Sequence, residues 1–134
     1  MAFDWSKYLE LAEELSKRQD EACLRAAISR AYYSVYNIAK KRDAVSKYRF
    51  NNDGNSHDEL WDLYDRNSTS GECRRLAFVG KRLKRRRVEA DYISIFARLN
   101  EEVPAILEDA KECVGILTNL DKNLPQPIEK TWSY

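Results

Sequence analysis

Apolar residues recur along the chain at intervals of three and four, which is the spacing of a buried helix face, and the alternation typical of strands is nearly absent. A first helix is predicted to begin at Asp4, because aspartate is a favoured N-cap residue. Its apolar stripe consists of Trp5, Tyr8, Leu9, Ala12 and Leu15. A second, longer helix is predicted over about 20–44, with an apolar stripe that runs from Leu24 to Ala39.

Two more helices are predicted in the middle of the chain. Residues 51–56 are rich in Asn, Asp and Gly, which favours a loop. The sequence Ser56-His57-Asp58-Glu59 matches a capping box, so a short helix is predicted to begin there. The polar segment 67–71 ends it. A helix rich in basic residues is then predicted over about 72–91.

A last long helix completes the predicted fold. Asn100 is expected to cap it, and Pro104 falls in its predicted first turn, where backbone N–H groups have no intrahelical acceptor. The sequence Leu124-Pro125-Gln126-Pro127 ends it. At 134 residues the chain can bury one core of four or five helices. The pattern therefore predicts an all-α bundle in a single domain over residues 1–124, with a C-terminal tail over 125–134.

Composition excludes a membrane protein. No apolar run approaches the ~18 residues that a membrane span requires, and the first residues lack the features of a signal peptide. Cys23, Cys73 and Cys113 are odd in number and widely spaced, which favours reduced thiols that serve in packing. The protein is therefore predicted to be cytoplasmic and not associated with a membrane.

Composition also limits the chemistry. His57 is the only histidine, so a Ser-His-Asp or Cys-His arrangement would have to include it. No cluster of histidines and cysteines indicates a metal site. The four glycines lack the spacing of a phosphate loop or a dinucleotide-binding motif. We therefore predict no metal and no cofactor.

Positive charge is concentrated in the predicted basic helix. The chain has 23 Lys and Arg against 22 Asp and Glu, yet residues 74–87 contain eight basic residues and no acidic one. Such a concentration is typical of a surface for a polyanion or an acidic partner. The candidate anion-binding residues are Arg30 of the second helix and, in the basic helix, Lys81, Arg82, Lys84, Arg85, Arg86 and Arg87. The alternative is contact with acidic residues of the last helix, in the same molecule or in a second subunit.

Two segments carry motifs that occur together in one family. The first is Ser29-Arg30-Ala31-Tyr32-Tyr33-Ser34-Val35-Tyr36-Asn37-Ile38-Ala39, and the second is Leu83-Lys84-Arg85-Arg86-Arg87-Val88-Glu89-Ala90-Asp91-Tyr92. They resemble the Arg-Ala-Tyr-Tyr core helix and the later Arg-x-x-Ala-Asp-Tyr element of HEPN domains (higher eukaryotes and prokaryotes nucleotide-binding domains). The order of the two segments is also similar, and the resemblance spans roughly residues 1–124.

The resemblance implies a four- or five-helix up-and-down bundle that commonly forms a homodimer. It also implies that the ligand is RNA or a nucleotide. The implied setting is a toxin–antitoxin or defence system, in which such domains act beside a nucleotidyltransferase. Some family members are metal-independent endoribonucleases with an Arg-x(4–6)-His motif, whose histidine moves the proton and whose arginine stabilises the phosphate charge.

The chain departs from this motif at the histidine. Arg87 matches the arginine, but Tyr92 occupies the histidine position, and Asn37 replaces a histidine often seen in the early helix. A phenol titrates near pH 10, so it is poorly suited to proton transfer at neutral pH. We therefore predict a binding domain in preference to an endoribonuclease, whose candidate residues would be Arg87, Tyr92 and His57. A non-catalytic dimeric protein-interaction module is the alternative from another class.

Each supporting residue also has a structural interpretation. Arg30 lies in an apolar helix, so it is expected to pair with Glu89 or Asp91, or else to line the cleft. Asp91 is expected to orient Arg87 or Arg30, or to accept backbone amides at the helix end. Tyr92 is expected to bury its ring.

Each of the remaining candidates likewise has both a functional and a structural interpretation. Arg86 and Arg87 are expected to hold a phosphate, or Arg87 to pair with a carboxylate such as the one at i+4. Tyr33 and Tyr36 are expected in the core or at a dimer interface in preference to stacking against bases. His57 is expected to be an ordinary residue at the start of its capped helix.

Overall fold

The computed structural model describes residues 2–46, 48, 50, 56–67 and 70–126. These residues form the helices α1 (Ser6–Ser16), α2 (Glu21–Lys41), α3 (Asp43–Ser46), α4 (Ser56–Asp65), α5 (Gly71–Tyr92) and α6 (Leu99–Asn119). No strand occurs among the described residues, so the predicted all-α class is confirmed. None of the helices in these ranges is both long and apolar enough to cross a membrane. Of the loop predicted over 51–56, residues 51–55 lie outside the described residues and Ser56 is the first residue of α4.

Two helices begin at side-chain caps that the sequence encodes, and the predicted cap of α1 is one residue out of place. The N-cap of α1 is Trp5, which makes no side-chain cap bond, while Asp4 Oδ1 accepts the backbone N–H of Ser6 at 3.0 Å. Asp20 Oδ1 accepts the N–H three residues later at 2.9 Å, before α2. Ser70 Oγ accepts the corresponding N–H at 3.3 Å, before α5. These bonds satisfy N–H groups that have no acceptor within their helix.

Helix α2 is the central element and packs against α1, α5 and α6. Ala27, Ala31 and Ala39 have no exposed surface, and side chains of this size allow neighbouring helices to approach closely. Helix α4 packs on α5, where Trp61 lies against Gly80. The basic helix α5 therefore contacts α2, α4 and α6 along its length.

The end of α2 differs slightly from the prediction. The helix ends at Lys41, because Arg42 has a non-helical ψ of 143°, and the short helix α3 follows. The Arg42 side chain donates to the carbonyl groups of Leu117 at 2.8 Å, Asp121 at 2.8 Å and Leu124 at 3.1 Å. Carbonyl groups at a helix end lack intrahelical donors, so Arg42 stabilises the C-terminus of α6.

The start of α6 contradicts the prediction. The helix begins at Leu99, directly after Arg98, whose backbone is left-handed with a φ of 59°. Asn100 therefore lies inside the first turn and does not cap the helix. Pro104 falls in the second turn, so its missing N–H removes the usual helical donor to the Asn100 carbonyl.

The packed part of the chain extends slightly beyond the predicted domain boundary at residue 124. Pro125 is fully buried, although the tail was predicted to begin there. Residues 127–134 of the predicted tail lie outside the described residues.

Candidate functional site

Arg87 is a nearly buried cation on the face of α5 that meets α2. The residue is 9% exposed. Its Nη2 donates to the Tyr33 hydroxyl. Its Nε lies 3.7 Å from Asp91 Oδ2, close enough for an ion pair but too far for a hydrogen bond. Nε is buried without a hydrogen-bond partner, and Nη1 makes no hydrogen bond to the described residues. The guanidinium is therefore incompletely paired.

Aromatic rings surround the Arg87 guanidinium. Its central carbon lies 4.9 Å from the ring centre of Tyr33, 5.8 Å from that of Tyr92 and 5.9 Å from that of Tyr32. Tyrosine faces attract cations at such distances. The rings therefore stabilise the buried charge without using the donors that a ligand would need.

Tyr92 contradicts the expectation that it buries its ring, because its side chain is 73% exposed. It is the last residue of α5 and lies five positions after Arg87, which is about 140° round the helix at 100° per residue. This rotation turns Tyr92 away from the core face. Its ring lies at the edge of the Arg87 environment, in contact with solvent.

Helix α4 brings His57 into the same cluster. The imidazole stacks on the Tyr36 ring with 4.1 Å between ring centres, and Nδ1 lies 2.7 Å from the Tyr32 hydroxyl. Trp61 Nε1 donates to that hydroxyl at 3.3 Å. His57 is therefore held by aromatic contacts from α2 in addition to its position near the start of α4, which was the structural role expected for it.

The surroundings of His57 keep its imidazole neutral. Burial is the largest cause and the positive charges of Arg87, Lys84 and Lys40 follow, and together they lower its pKa to about 4. At neutral pH the site therefore combines one buried guanidinium with an uncharged imidazole. We call the group formed by Tyr32, Tyr33, Tyr36, His57, Arg87, Asp91 and Tyr92 the Arg87 site.

Tyr33 and Tyr36 both belong to the interior side of this site. Tyr36 is buried and Tyr33 is half-buried. Their rings lie 6.2 Å apart in an edge-to-face arrangement. These positions agree with the expected core role, and their predicted role at a dimer interface stays a prediction.

Most of the other predicted anion-binding residues of α5 are held in ion pairs between helices. The pairs with α4 are Lys81 to Asp62 at 2.6 Å and Lys84 to Asp58 at 2.8 Å. The pairs with α6 are Arg82 to Asp109 at 3.0 Å and Arg86 to Glu102 at 3.4 Å. Arg85 is exposed and makes no ion pair with the described residues. The geometry thus matches the alternative of intramolecular pairing with α6, and it adds α4, which was not anticipated.

Arg30 does not have the expected partner. It is exposed, and its guanidinium lies 5.0 Å from the centre of the Tyr8 ring on α1. Among the described residues its predicted pairing with Glu89 or Asp91 does not occur, because Arg30 is on the side of α2 that faces α1. Ser29 instead donates to Asp91 Oδ2 at 3.2 Å. Asp91 thus contacts Arg87, as expected, but not Arg30.

Arg25 supports the end of α5 beside the Arg87 site, and it was not predicted from the sequence. Its Nη1 donates to the carbonyl groups of Ala90 at 3.0 Å and Ile93 at 2.6 Å, and its Nη2 donates to that of Ser94 at 2.9 Å. The side chain is only 17% exposed. Arg25 therefore holds the turn that follows Tyr92. The sequence signal that could have indicated this role is an arginine placed between the buried residues of α2.

Within the described residues, the Arg87 site contains no group of metal ligands and no cysteine. No group of three or more His, Cys, Asp or Glu side chains within the described residues is arranged to hold a metal ion. Cys73 and Cys113 are fully buried, and burial raises the pKa of the Cys113 thiol to about 12. Both cysteines are packing residues, as expected.

Comparison of the chain with family models, with curated proteins and with solved structures finds no match in any of the three. The interpretation of the Arg87 site therefore depends on its geometry and on the two sequence motifs.

Proposed function

We propose that this protein is an HEPN-like helical bundle that binds RNA or a nucleotide by holding a phosphate at Arg87. The incomplete pairing of the buried Arg87 guanidinium carries the proposal. A buried charge is costly unless its donors are satisfied, and Nε is buried without a hydrogen-bond partner. Nη1 makes no hydrogen bond to the described residues, so it can donate to a phosphate oxygen. Asp91 at 3.7 Å offsets only part of this cost.

The packing of the two motif helices supports the family resemblance. Helix α2 carries the Arg-Ala-Tyr-Tyr motif and α5 carries the Arg-x-x-Ala-Asp-Tyr motif, and the two helices are in direct contact. The first motif supplies Tyr33, whose hydroxyl accepts from Arg87 of the second motif. Two motifs that are separated in sequence thus form one site, as a shared function requires.

Binding is a better proposal than RNA cleavage. Tyr92 takes the place of the motif histidine, and a phenol is poorly matched to proton transfer at neutral pH. His57 is close by, but a pKa of about 4 makes it a weak base. Replacing His57 by alanine tests the remaining cleavage hypothesis, because unchanged cleavage of RNA would remove His57 from any mechanism.

Substitution of Arg87 tests the binding proposal. Arg87→Ala is expected to weaken RNA binding roughly ten- to hundred-fold, since a hydrogen bond to a charged group contributes about 1.5–3 kcal/mol. Fluorescence anisotropy with labelled RNA at low salt measures this loss. Arg87→Lys retains the charge but not the planar fork, and it is expected to recover only part of the affinity.

The matched control is Arg75→Ala on the same helix. Arg75 is half-exposed and pairs with Glu112 at 2.7 Å, away from the Arg87 site, so its loss should leave RNA affinity unchanged. Circular dichroism melting verifies that each variant is folded. The proposal fails if the wild-type protein binds neither RNA nor a nucleotide at low salt, or if folded Arg87 variants bind as tightly as the wild type.

A protein-interaction module is the second candidate, and one observation favours it. Ile93 is 49% exposed and Ile95 is 85% exposed, next to the exposed Tyr92. Adjacent exposed apolar residues are typical of contact surfaces. The predicted homodimer and the predicted nucleotidyltransferase partner would both use such a surface. The mass in solution, compared with 15.7 kDa for one chain, tests the homodimer. A neighbouring reading frame for a nucleotidyltransferase would support the toxin–antitoxin setting.

A further inference from the structure

We infer that the Arg87 site takes an unpaired nucleotide, free or within a single strand, with its phosphate at Arg87 and its base stacked on Tyr92. The inference rests on the proposed function, and it specifies which form of nucleic acid the site accepts. Three observations support it: the exposure of Tyr92, the way in which the turn after Tyr92 is held, and the shortage of unpaired cations on α5.

Tyr92 offers a face on which a base can stack. The side chain is 73% exposed, while its ring centre is only 5.8 Å from the Arg87 guanidinium carbon. Aromatic side chains bind unpaired bases through their faces, whereas bases inside a duplex are already stacked on each other. A cation and an open ring at this separation suit the phosphate and the base of one nucleotide.

The apolar surface beside Tyr92 belongs to a turn that is held in place. Arg25 donates to the carbonyl groups of Ile93 and Ser94, directly after α5 ends. Ile95 remains 85% exposed in this arrangement. An ordered apolar edge next to the ring extends the surface available to a base or its sugar, and it requires less ordering when the ligand binds.

The charges of α5 disfavour a double helix as the ligand. A protein that tracks duplex phosphates typically needs several free cations. Between residues 81 and 87, four of the six basic side chains are paired with α4 or α6 and the others are Arg85 and Arg87. Arg85 and Arg87 point about 200° apart around the helix, so each can contact only its own phosphate, and the single contact at Arg87 is sufficient for a nucleotide whose base also stacks.

The test compares labelled single-stranded RNA with the same RNA annealed to its complement, with adenosine monophosphate as a competitor. The single strand is expected to bind more tightly than the duplex. The logarithm of its association constant is expected to fall with the logarithm of salt concentration with a slope of roughly −0.7 to −1.4, as for one or two phosphates of a single strand. If adenosine monophosphate competes with the single strand, the site accepts a single nucleotide. If it does not compete, the site requires a strand. Both outcomes support an unpaired nucleotide. Tighter binding of the duplex would overturn the inference.

Substitution of Tyr92 tests the stacking contact. Tyr92→Ala is expected to weaken binding of the single strand roughly five- to hundred-fold, and Tyr92→Phe to retain affinity because the ring remains. Phe78→Ala is the matched control. Phe78 is 57% exposed on the same helix, with the guanidinium of Arg82 5.4 Å from its ring, yet it is remote from Arg87, so no change is expected.

The outcomes separate this inference from the proposed function. If binding is sensitive to Arg87→Lys but not to Tyr92→Ala, the phosphate site stands and the stacking inference is wrong. If the wild-type protein binds no RNA and no nucleotide at low salt, the proposed function itself is wrong. If Tyr92→Ala changes the oligomeric state in solution but not the affinity for the single strand, Tyr92 forms a subunit contact. The stacking inference is again overturned.

Discussion

At the residue scale, the electrostatic contact between His57 and Arg87 can be measured directly. Burial and the charge of Arg87 together lower the His57 pKa to about 4. Arg87→Gln removes the charge and is expected to raise this pKa toward the ordinary value of 6.5, without reaching it because burial remains. The chain has one histidine, so the imidazole signals in a proton NMR titration need no further assignment.

The control is Arg75→Gln, which lies twelve residues earlier on α5, about 18 Å along the helix at 1.5 Å per residue. It is expected to leave the His57 titration unchanged. An identical shift in both variants would show that the response is not specific to Arg87, and no shift in either would show that Arg87 does not act on His57.

The same residue links stability to pH. The folded pKa of His57 is below its unfolded value, so the unfolded chain binds more protons between pH 6.5 and pH 4. The stability associated with neutral His57 is therefore present above pH 6.5 and is lost as the pH falls toward 4. Urea unfolding at several pH values should show a shallower decline for His57→Gln than for the wild type. Parallel declines would mean that carboxylates alone determine the acid sensitivity.

At the element scale, the packing of α4 on α5 depends on the absence of a side chain at Gly80. A Cβ there would lie 2.7 Å from ring atoms of Trp61, which is fully buried. Gly80→Ala is therefore expected to destabilise the protein by about 1–3 kcal/mol, although alanine is the better helix former. Gly115→Ala on α6 meets nothing within 4 Å and is expected to stabilise by up to about 1 kcal/mol. Chemical unfolding measures both values, and equal effects would refute the packing argument.

The helices themselves could be predicted from the sequence because the apolar spacing and the caps are local signals. Asp20 caps α2 through an N–H three residues away, and Asp4 accepts the N–H of Ser6 at the start of α1. The start of α6 could not be predicted in the same way. Arg98 adopts a left-handed backbone that favours glycine, and nothing in its neighbours indicates it. Asparagine is a favoured cap residue, but the helix begins one residue before Asn100 because the chain turns at Arg98.

The Arg87 site was predictable only in part. The motifs identified Arg87, Asp91 and Tyr33, since each lies at a fixed place in its own helix. The approach of His57 to Arg87 was not predictable, because the two residues are thirty positions apart in the chain. Their proximity depends on how α4 docks onto α2. The exposure of Tyr92 depends on where α5 ends relative to its core face. Both properties are tertiary, and no spacing within one helix encodes them.

At the scale of the whole molecule, the distribution of charge determines which ligands the protein can attract. The formal net charge is only +1, and the basic run of α5 lies between acidic residues of α4 and α6. Ion pairs that are partly exposed contribute little to stability, typically below about 1 kcal/mol. We therefore expect their main effect to be the occupation of cations that would otherwise attract nucleic acid without regard to sequence.

A triple substitution that removes the acidic partners tests this view. The changes are Asp58→Asn, Asp62→Asn and Asp109→Asn, which free Lys84, Lys81 and Arg82. The variant is expected to remain folded and to gain affinity for duplex DNA. Three additional phosphate contacts would make the salt-dependence slope steeper by roughly 2 to 3. Anisotropy measured across a salt series gives both quantities.

The position of the freed cations, and not the net charge alone, should determine this gain. A control variant with Glu10→Gln, Glu14→Gln and Glu101→Gln changes the net charge equally but frees Lys7, Lys17 and Arg98, which lie outside α5. Because these cations lie at the two ends of α1 and before α6, they are not placed to follow one phosphate backbone, and the slope should change less. Equal gains in the two variants would mean that net charge controls attraction. A gain in the first variant alone would mean that intramolecular pairing keeps α5 from binding duplexes and leaves Arg87 as its specific anion contact.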